Sequence, residues 1–256
     1  MKLILVQPTL SYETDADNPG VIECMLAPLA RTLEPLDLVL LPEHFDLRSS
    51  RAAYEQCVRS LAQQLGCHVI GGSHHEQRGD SRVNAGIVSD GRGQIVGHYE
   101  KLRPYASERA SVREGSAFGE VTIGDRNLLL LICADFWFSD VFYRAHRLPD
   151  LVLVPAHSVT RKPTPDYSRA LWRHLAVTRA YEFGAYVGIS DWAYTPRPNG
   201  LSASGVSGFA DPTTIDPEHF FTPVQDGLSL IELDFDALAA FRRDREARGF
   251  FWQPRG

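Results

Sequence analysis

The sequence predicts an α/β layered fold, and three observations carry that prediction. Short apolar runs bounded by turn residues alternate with helical patterns along the whole chain. The runs are nearly continuous in apolar character, as strands covered on both faces are. No Pro-, Gly- or Ser-rich linker divides the 256 residues, so residues 1–256 read as one domain with a substantial core.

In chain order, strands are expected over residues 3–6, 38–41, 68–70, 85–88, 95–98, 128–132, 151–154, 186–189, 205–210 and 228–233. Helical patterns lie between them at residues 21–33, 51–65, 139–146, 168–183 and 235–247. Gly66 follows the second of these, where a left-handed cap is expected. Asp90-Gly91-Arg92-Gly93 separates two strands and reads as a hairpin turn, Asp-Gly supplying the positive φ.

Composition removes several function classes. A formal net charge of −6 leaves no electrostatic footprint for nucleic acid or an anionic membrane. Arg242, Arg243, Arg245 and Arg248 are interleaved with acids, the pattern of a solvated helix face. Only four apolar residues separate Lys2 from Gln7-Pro8, so neither a signal peptide nor a membrane span is expected. Cys24, Cys57, Cys67 and Cys133 show no paired spacing, which favours a reduced cytoplasmic setting over a disulfide framework. No cysteine or histidine pair has zinc-ligand spacing, and adjacent His74 and His75 would point to opposite faces of a strand, so no metal is expected.

Two segments echo each other. Asp37 to Pro42-Glu43-His44 and Asp150 to Pro155-Ala156-His157 are both apolar strands ended by proline, which cannot donate to a continuing ladder. Either they are two unrelated core strands with similar exits, or they form a pseudo-symmetric pair opening at one site. Only the first carries a carboxylate there.

Three residues at strand exits are candidates for chemistry. Glu43 leaves an all-apolar strand, where ligands of α/β sheets commonly bind and where partial desolvation would raise a carboxyl toward the range of a base. Taken alone, it would be a capping or surface glutamate. Cys133 ends the apolar run from Leu128 and precedes Ala134, Asp135, Phe136 and Trp137. A buried cysteine is usually an inert small hydrophobe. At a turn leaving a strand it can instead face a pocket, with the Ala134 N–H available to an oxyanion. Lys101 follows the hairpin's second strand; such a lysine usually snorkels at a sheet edge, but pointing inward it would favour a thiolate and stabilise a tetrahedral intermediate. The aromatic cluster Phe136, Trp137, Phe138, Phe142 and Tyr143 reads mostly as core, and Trp172 as the anchor of its helix. Trp192 and Tyr194, on a proline-rich loop, are candidates for a pocket mouth.

The order Glu43, Lys101, Cys133 resembles the catalytic triad of the nitrilase superfamily, in its amidase-like branch. Leu41-Pro42-Glu43 is similar to the family's first signature. Asn84-Ala85 with Gly91, Gly93 and Tyr99-Glu100-Lys101 is similar to the second, and Leu131-Ile132-Cys133-Ala134-Asp135 to the third. Arg179-Ala180-Tyr181-Glu182 and Gly205-Val206-Ser207 with Asp211-Pro212 are similar to two later motifs. The resemblance implies a four-layer αββα sandwich and a homodimer or higher homo-oligomer. It implies a C–N hydrolase acting on a small-molecule amide or N-carbamoyl compound through a thioester, with no cofactor. It also implies a second active-site glutamate seven residues before a glycine, which Glu108 satisfies ahead of Gly115; Glu114 is the weaker candidate, and a solvated loop position is the plain alternative.

Some positions depart from the family pattern. Trp137 resembles the carbamoyl-amide branch and glutaminase domains. Ser139-Asp140 stands where Pro-Glu is usual, His157 where amidases often have asparagine, and the late strand lacks Pro-x-Gly. Trp137 and His157 are therefore read as substrate-facing. Alternatives remain: a glutaminase subunit delivering ammonia to a synthetase, a catalytically silent binding protein, or an unrelated Asp-Lys-Cys thiol hydrolase. The last would need Asp15 or Asp17, which lie in a polar stretch unlike a strand exit.

Overall fold

The computed structural model describes residues 1–47, 50–197 and 200–250. Its strands begin with β1 (Lys2–Val6), β2 (Leu38–Leu40), β3 (His68–Ile70), β4 (His74–Arg78) and β5 (Ser81–Ser89). Next come β6 (Ile95–Glu100), β7 (Gly119–Ile123), β8 (Arg126–Leu130), β9 (Leu151–Pro155) and β10 (Val159–Thr160). The last are β11 (Tyr186–Ser190), β12 (Ser202–Ala203), β13 (Gly208–Ala210), β14 (Phe221–Pro223) and β15 (Leu228–Glu232). The helices are α1 (Asn18–Leu26), α2 (Arg51–Leu65), α3 (Ser139–Phe142), α4 (Asp166–Phe183) and α5 (Phe235–Ala247).

Two mixed sheets form. One runs β15-β1-β2-β3-β5-β4 with β6 also on β5; the other runs β14-β13-β11-β9-β8-β7. Each has a parallel trio at its centre, β1-β2-β3 and β11-β9-β8. The alternation of side chains along a strand explains the layering. Leu3, Leu5, Leu38 and Leu40 share a buried cluster with Val152, Leu153, Val187 and Ile189 of the second sheet. Ile4, Val6, Val39 and Leu41 point the other way, into a cluster with Ile22 and Leu26 of α1 and Tyr54, Val58 and Leu61 of α2. On the far side, Trp172, Ala176, Ala180 and Phe183 of α4 close the second sheet. The result is the expected αββα sandwich, in which a continuous apolar strand feeds two cores at once. Gly188 marks the close approach of the sheets, since a Cβ there would lie 2.8 Å from Leu3 Cδ2.

Several elements differ from expectation for identifiable reasons. Helix α1 starts at Asn18, with the Asp17 carboxylate accepting from Gly20 N, and gives way to a tighter turn at Ala27–Leu29, where Pro28 cannot donate. Helix α3 is a single turn rather than reaching residue 146. The N–H groups of His146 and Arg147 donate to the Glu120 carboxylate, which draws the chain out of the helix. In the hairpin, Gly93 and not Gly91 takes positive φ, while Asp90 Oδ1 accepts from Arg92 N and Gln94 N. Strand β4 escaped the sequence reading because His74-His75-Glu76-Gln77-Arg78 contains no apolar residue. Gly66 caps α2 in the left-handed conformation as expected.

Candidate functional site

The exits of β2 and β9 meet. Glu43 N donates to the carbonyl of Ala156 at 3.2 Å, and the His157 backbone N–H returns a bond to Glu43 Oε2 at 3.0 Å. The two echoing segments therefore open at one place, as the pseudo-symmetric reading required. The indole N–H of Trp192 donates to the Glu43 carbonyl at 2.8 Å, bracing the turn from below. Trp192 is buried, its ring packed on His157 and Tyr12, so it does not border a pocket mouth.

Lys101 is placed directly after β6, its N–H bonded to the carbonyl of Asn84 and its own carbonyl accepting from Gly115 N. Its ammonium is buried and lies 2.7 Å from both Glu43 Oε1 and Glu108 Oε2. Glu108 sits on the short helix Ala106–Ala110 and also accepts from Tyr105 N at 3.0 Å, His75 Nε2 at 3.0 Å and Asn84 Nδ2 at 2.8 Å. Glu114, by contrast, is exposed.

Cys133 begins the short helix Cys133–Trp137, is 8% exposed, and takes a φ of +46°. A non-glycine residue held there is strained by about 1–3 kcal/mol. His44 and Ala106, beside Glu43 and Glu108, also have positive φ. The Cys133 thiol lies within the electrostatic reach of Glu43 and Lys101.

The charges form a chain of carboxylate, ammonium, carboxylate. Burial alone would raise Glu43, but the Lys101 ammonium outweighs it and holds the carboxyl below its usual range. The same balance, with His75 and Lys101 as partners, lowers Glu108. Burial opposes the charge on Lys101, yet Glu43 and its neighbours hold the ammonium well above its ordinary value. Burial and the nearby Glu43 raise the Cys133 thiol well above its ordinary value, and Lys101 only partly offsets this. The directions differ from those expected at two groups: Glu43 is lowered where a raised carboxyl was expected, and Cys133 is raised although Lys101 was expected to favour its thiolate.

Asn84 is a residue whose position the sequence motif contained but whose contacts it did not reveal. Its amide nitrogen bridges Glu43 Oε1 and Glu108 Oε1, each at 2.8 Å. Two carboxylates permit only that orientation, which leaves Asn84 Oδ1 buried and without a partner. Asp135 and Asp191 are two further buried supports. Asp135 accepts from Leu102 N and Arg103 N, and burial pushes its carboxyl up to about 7. Asp191 accepts from Ser158, Trp192 and Val206, and burial pushes it up to about 6. Among the described residues, His44, His75 and Glu108 bring possible metal-ligand atoms within 4.8 Å of one another. Both Glu108 oxygens are already engaged by Lys101, Tyr105, Asn84 and His75, so these side chains read as a scaffold that positions Glu108.

Cys133 and Ala134 lie in the wall of a cavity of about 480 Å³. Trp137, His157 and Trp172 line it too. The aromatic cluster is split: Phe136 and Phe142 are core, whereas Trp137, Phe138 and Tyr143 are exposed. Cys24, Cys57 and Cys67 are not among the lining residues. No described helix is long and apolar enough to cross a membrane.

A family model described as carbon-nitrogen hydrolase matches residues 3–243. No curated protein matches the sequence. Among solved structures, the chain is similar to Nit3 of Saccharomyces cerevisiae, a member of branch 10 of the nitrilase superfamily. Identity is 19% and the TM-score 0.80, over 100% of this chain and 97% of that one. It is similar to XC1258 of Xanthomonas campestris, a CN-hydrolase superfamily protein with an arsenic adduct in its active site. There identity is 22% and the TM-score 0.78, over 99% and 97% of the two chains. It is also similar to the amidase of Nesterenkonia sp. AN1, in a variant with acrylamide added at the active-site cysteine. That pair has 20% identity and a TM-score of 0.72 over 98% and 100% of the chains. At these identities the structural likeness establishes a common fold, and membership rests on the family match across most of the sequence. The chain belongs to the carbon–nitrogen hydrolase family.

Proposed function

We propose that this protein is a thiol-dependent amidase-type hydrolase of a small linear amide or N-carbamoyl compound, its one domain acting through a thioester. The observation that carries the reading is the Lys101 ammonium, 2.7 Å from both Glu43 and Glu108, beside a cysteine in a cavity wall. In the Nesterenkonia amidase acrylamide adds at the active-site cysteine, which supports a nucleophilic thiol as the chemistry to test here.

Glu43, ionised at rest, takes the Cys133 proton as the sulfur attacks the carbonyl carbon, so no free thiolate accumulates beforehand. Lysine has three N–H donors, and two are occupied by Glu43 and Glu108; the third is free for the developing oxyanion. Ala134 N–H, in the first turn of its helix, is the second oxyanion donor, since the first N–H groups of a helix lack intrahelical carbonyls. Collapse of the tetrahedral intermediate expels ammonia or an amine, which receives the proton from Glu43. Glu43 then takes a proton from water, the resulting hydroxide attacks the thioester, and the leaving sulfur regains its proton. Glu108 and Asn84 hold Lys101 and Glu43 at fixed separation throughout. Trp137 and His157 face the substrate.

The reading extends to a cytoplasmic homo-oligomer assembled through surface helices and the C-terminal segment. Phe250 is exposed and packs on Arg245, which leaves an aromatic face to cover; Phe251 and Trp252 lie outside the described residues. A fully active monomer by light scattering would count against the assembly. The main test is ammonia release from a panel of linear amides, N-carbamoyl compounds, glutamine and nitriles, with Cys133→Ala alongside. Turnover by the wild type and none by the folded variant is expected. Equal turnover by both would end the reading, and activity confined to glutamine would replace it with a glutaminase.

A further inference from the structure

Tyr12, between β1 and α1, takes no part in the chemistry above and packs against the ring of His157, centroid to centroid 5.5 Å. Its phenol oxygen lies 3.1 Å from His157 Nε2 and accepts from the Ala203 backbone N–H at 3.2 Å. The Arg197 guanidinium sits over the same ring, 3.7 Å from its centroid. Neither that N–H nor that cation can receive the phenol hydrogen. Among the described residues His157 Nε2 is the one acceptor within hydrogen-bond distance of it. Burial raises the phenol above its ordinary value, so the hydrogen is in place at neutral pH.

An imidazole nitrogen that accepts carries no proton, so a neutral His157 then holds its proton on Nδ1. Burial, with Lys101 and Arg197 nearby, pushes the ring below its ordinary value against the pull of Glu43 and keeps it neutral. Turning the ring over would bring Cε1 to the phenol in place of Nε2 and lose the bond. Nδ1 makes no hydrogen bond among the described residues, and His157 lines the cavity together with Cys133 and Ala134. The tautomer therefore sets the polarity of that wall. Nδ1–H offers the cavity a donor, where the other tautomer would offer a lone pair.

Resting on the hydrolase reading above, we propose that Tyr12 is a positioning residue of the site. It pins His157 as the Nδ1–H tautomer, so that the wall beside Cys133 presents a neutral donor to an oxygen of the bound molecule. The backbone N–H of His157 meanwhile holds Glu43 Oε2 at 3.0 Å. One residue thus orients the base through its backbone and the ligand through its ring.

The test reads the tautomer directly. Protein with its histidines labelled by the heavy nitrogen isotope gives long-range proton–nitrogen NMR spectra at neutral pH, the His157 signals being those lost in His157→Asn. Nδ1 should appear as the protonated nitrogen and Nε2 as the bare one. A protonated Nε2, alone or with Nδ1, would overturn the proposal. In Tyr12→Phe, which keeps the ring and loses the hydroxyl, the fixed form should relax to a mixture or reverse; an unchanged Nδ1–H form would show that Tyr12 does not pin it. Turnover of the fastest amide in the panel above is the second readout. Tyr12→Phe should lower kcat/KM roughly two- to tenfold, the scale of one neutral hydrogen bond. His157→Asn puts an amide N–H where Nδ1–H stood and has no tautomer to fix. Adding Tyr12→Phe to it should therefore change kcat/KM by less than about twofold. Equal losses in the two backgrounds would reduce Tyr12 to a packing residue and sink the proposal. If no amide is hydrolysed, the hydrolase reading falls, while the spectra of the wild type and Tyr12→Phe still decide the tautomer and what pins it.

Discussion

The exits of β2 and β9 are built alike and used differently. Both are apolar strands at the centre of a parallel trio, and both end in proline followed two residues later by histidine. At the first exit, Glu43 projects into the charged network and His44, at φ +56°, turns its ring against His75. At the second, Ala156 offers only its carbonyl, to Glu43 N, while His157 gives its backbone N–H to the Glu43 carboxylate and its ring to Tyr12 and Trp192. One exit supplies a carboxylate to the charged network and the other supplies backbone groups that hold it. Two similar exits thus build an asymmetric site from segments that differ at two positions, Leu41 against Val154 and Glu43 against Ala156.

The largest effect should come from removing the carboxylate that distinguishes the exits. Glu43→Gln is expected to lower amide turnover by roughly 10²–10⁴-fold, the usual scale of general acid–base catalysis. The fold, checked by circular dichroism, should be kept. Turnover within a few-fold of the wild type would mean that this exit has no special role.

Transferring the carboxylate is the second experiment. Ala156 is fully buried in the tight contact between the exits. Ala156→Glu should destabilise by roughly 3–5 kcal/mol in urea unfolding, because a second buried charge there lacks a cation. Combined with Glu43→Gln, it should not restore turnover. Rescue would show the two exits to be interchangeable.

Trp192→Phe sharpens the supporting role by deleting the indole donor to the Glu43 carbonyl while keeping the aromatic packing. A loss of about 1–2 kcal/mol in urea unfolding is expected, as for a buried acceptor left unpaired. Turnover should fall less than in Glu43→Gln. Unchanged stability would indicate that the brace does no work.

The smallest effect concerns His44, whose ring burial and neighbouring cations push down to about 3. A depressed folded pKa means the unfolded chain takes up the proton first. Its stabilising contribution is present above the unfolded value near 6.5 and is lost as pH falls toward about 3. His44→Gln should therefore flatten the acid side of the stability curve. The difference in melting temperature between variant and wild type should change by roughly 2–6 °C between about pH 7 and about pH 5. A pH-independent difference would mean that His44 is not held neutral.

Thiol labelling needs the same care with environment. Cys24 is exposed, whereas Cys133 is buried with a raised thiol pKa. Iodoacetamide is therefore expected to modify Cys24 before Cys133 unless a ligand-like amide end draws the reagent into the cavity. Mass spectrometry on the Cys24→Ser background isolates the second reaction.

Much of this molecule is legible without coordinates. The apolar runs mark the central strands because a strand buried on both faces leaves no room for a polar alternation. Pro42 and Pro155 mark where two of those strands stop, since neither can donate onward. The spacing of Glu43, Lys101 and Cys133, each just past such a run, places candidate chemistry at strand exits before any contact is known. What the linear order cannot carry is the electrostatic state of those groups. Glu43 is lowered and the Cys133 thiol raised because burial, one shared ammonium and a neighbouring carboxylate act together, and that balance depends on distances of a few ångströms. The roles of Asn84, His75 and Trp192 were equally hidden, because their partners lie 24 to 149 residues away in sequence. Strand β4 shows the same limit from the side of the fold: its five polar residues become a strand only because β5 offers a ladder to pair with. Sequence alone determined which segments are buried and which side chains stand at their ends. The tertiary structure decided how those ends are charged and held, because Coulomb and hydrogen-bond energies depend on separation in space and not along the chain.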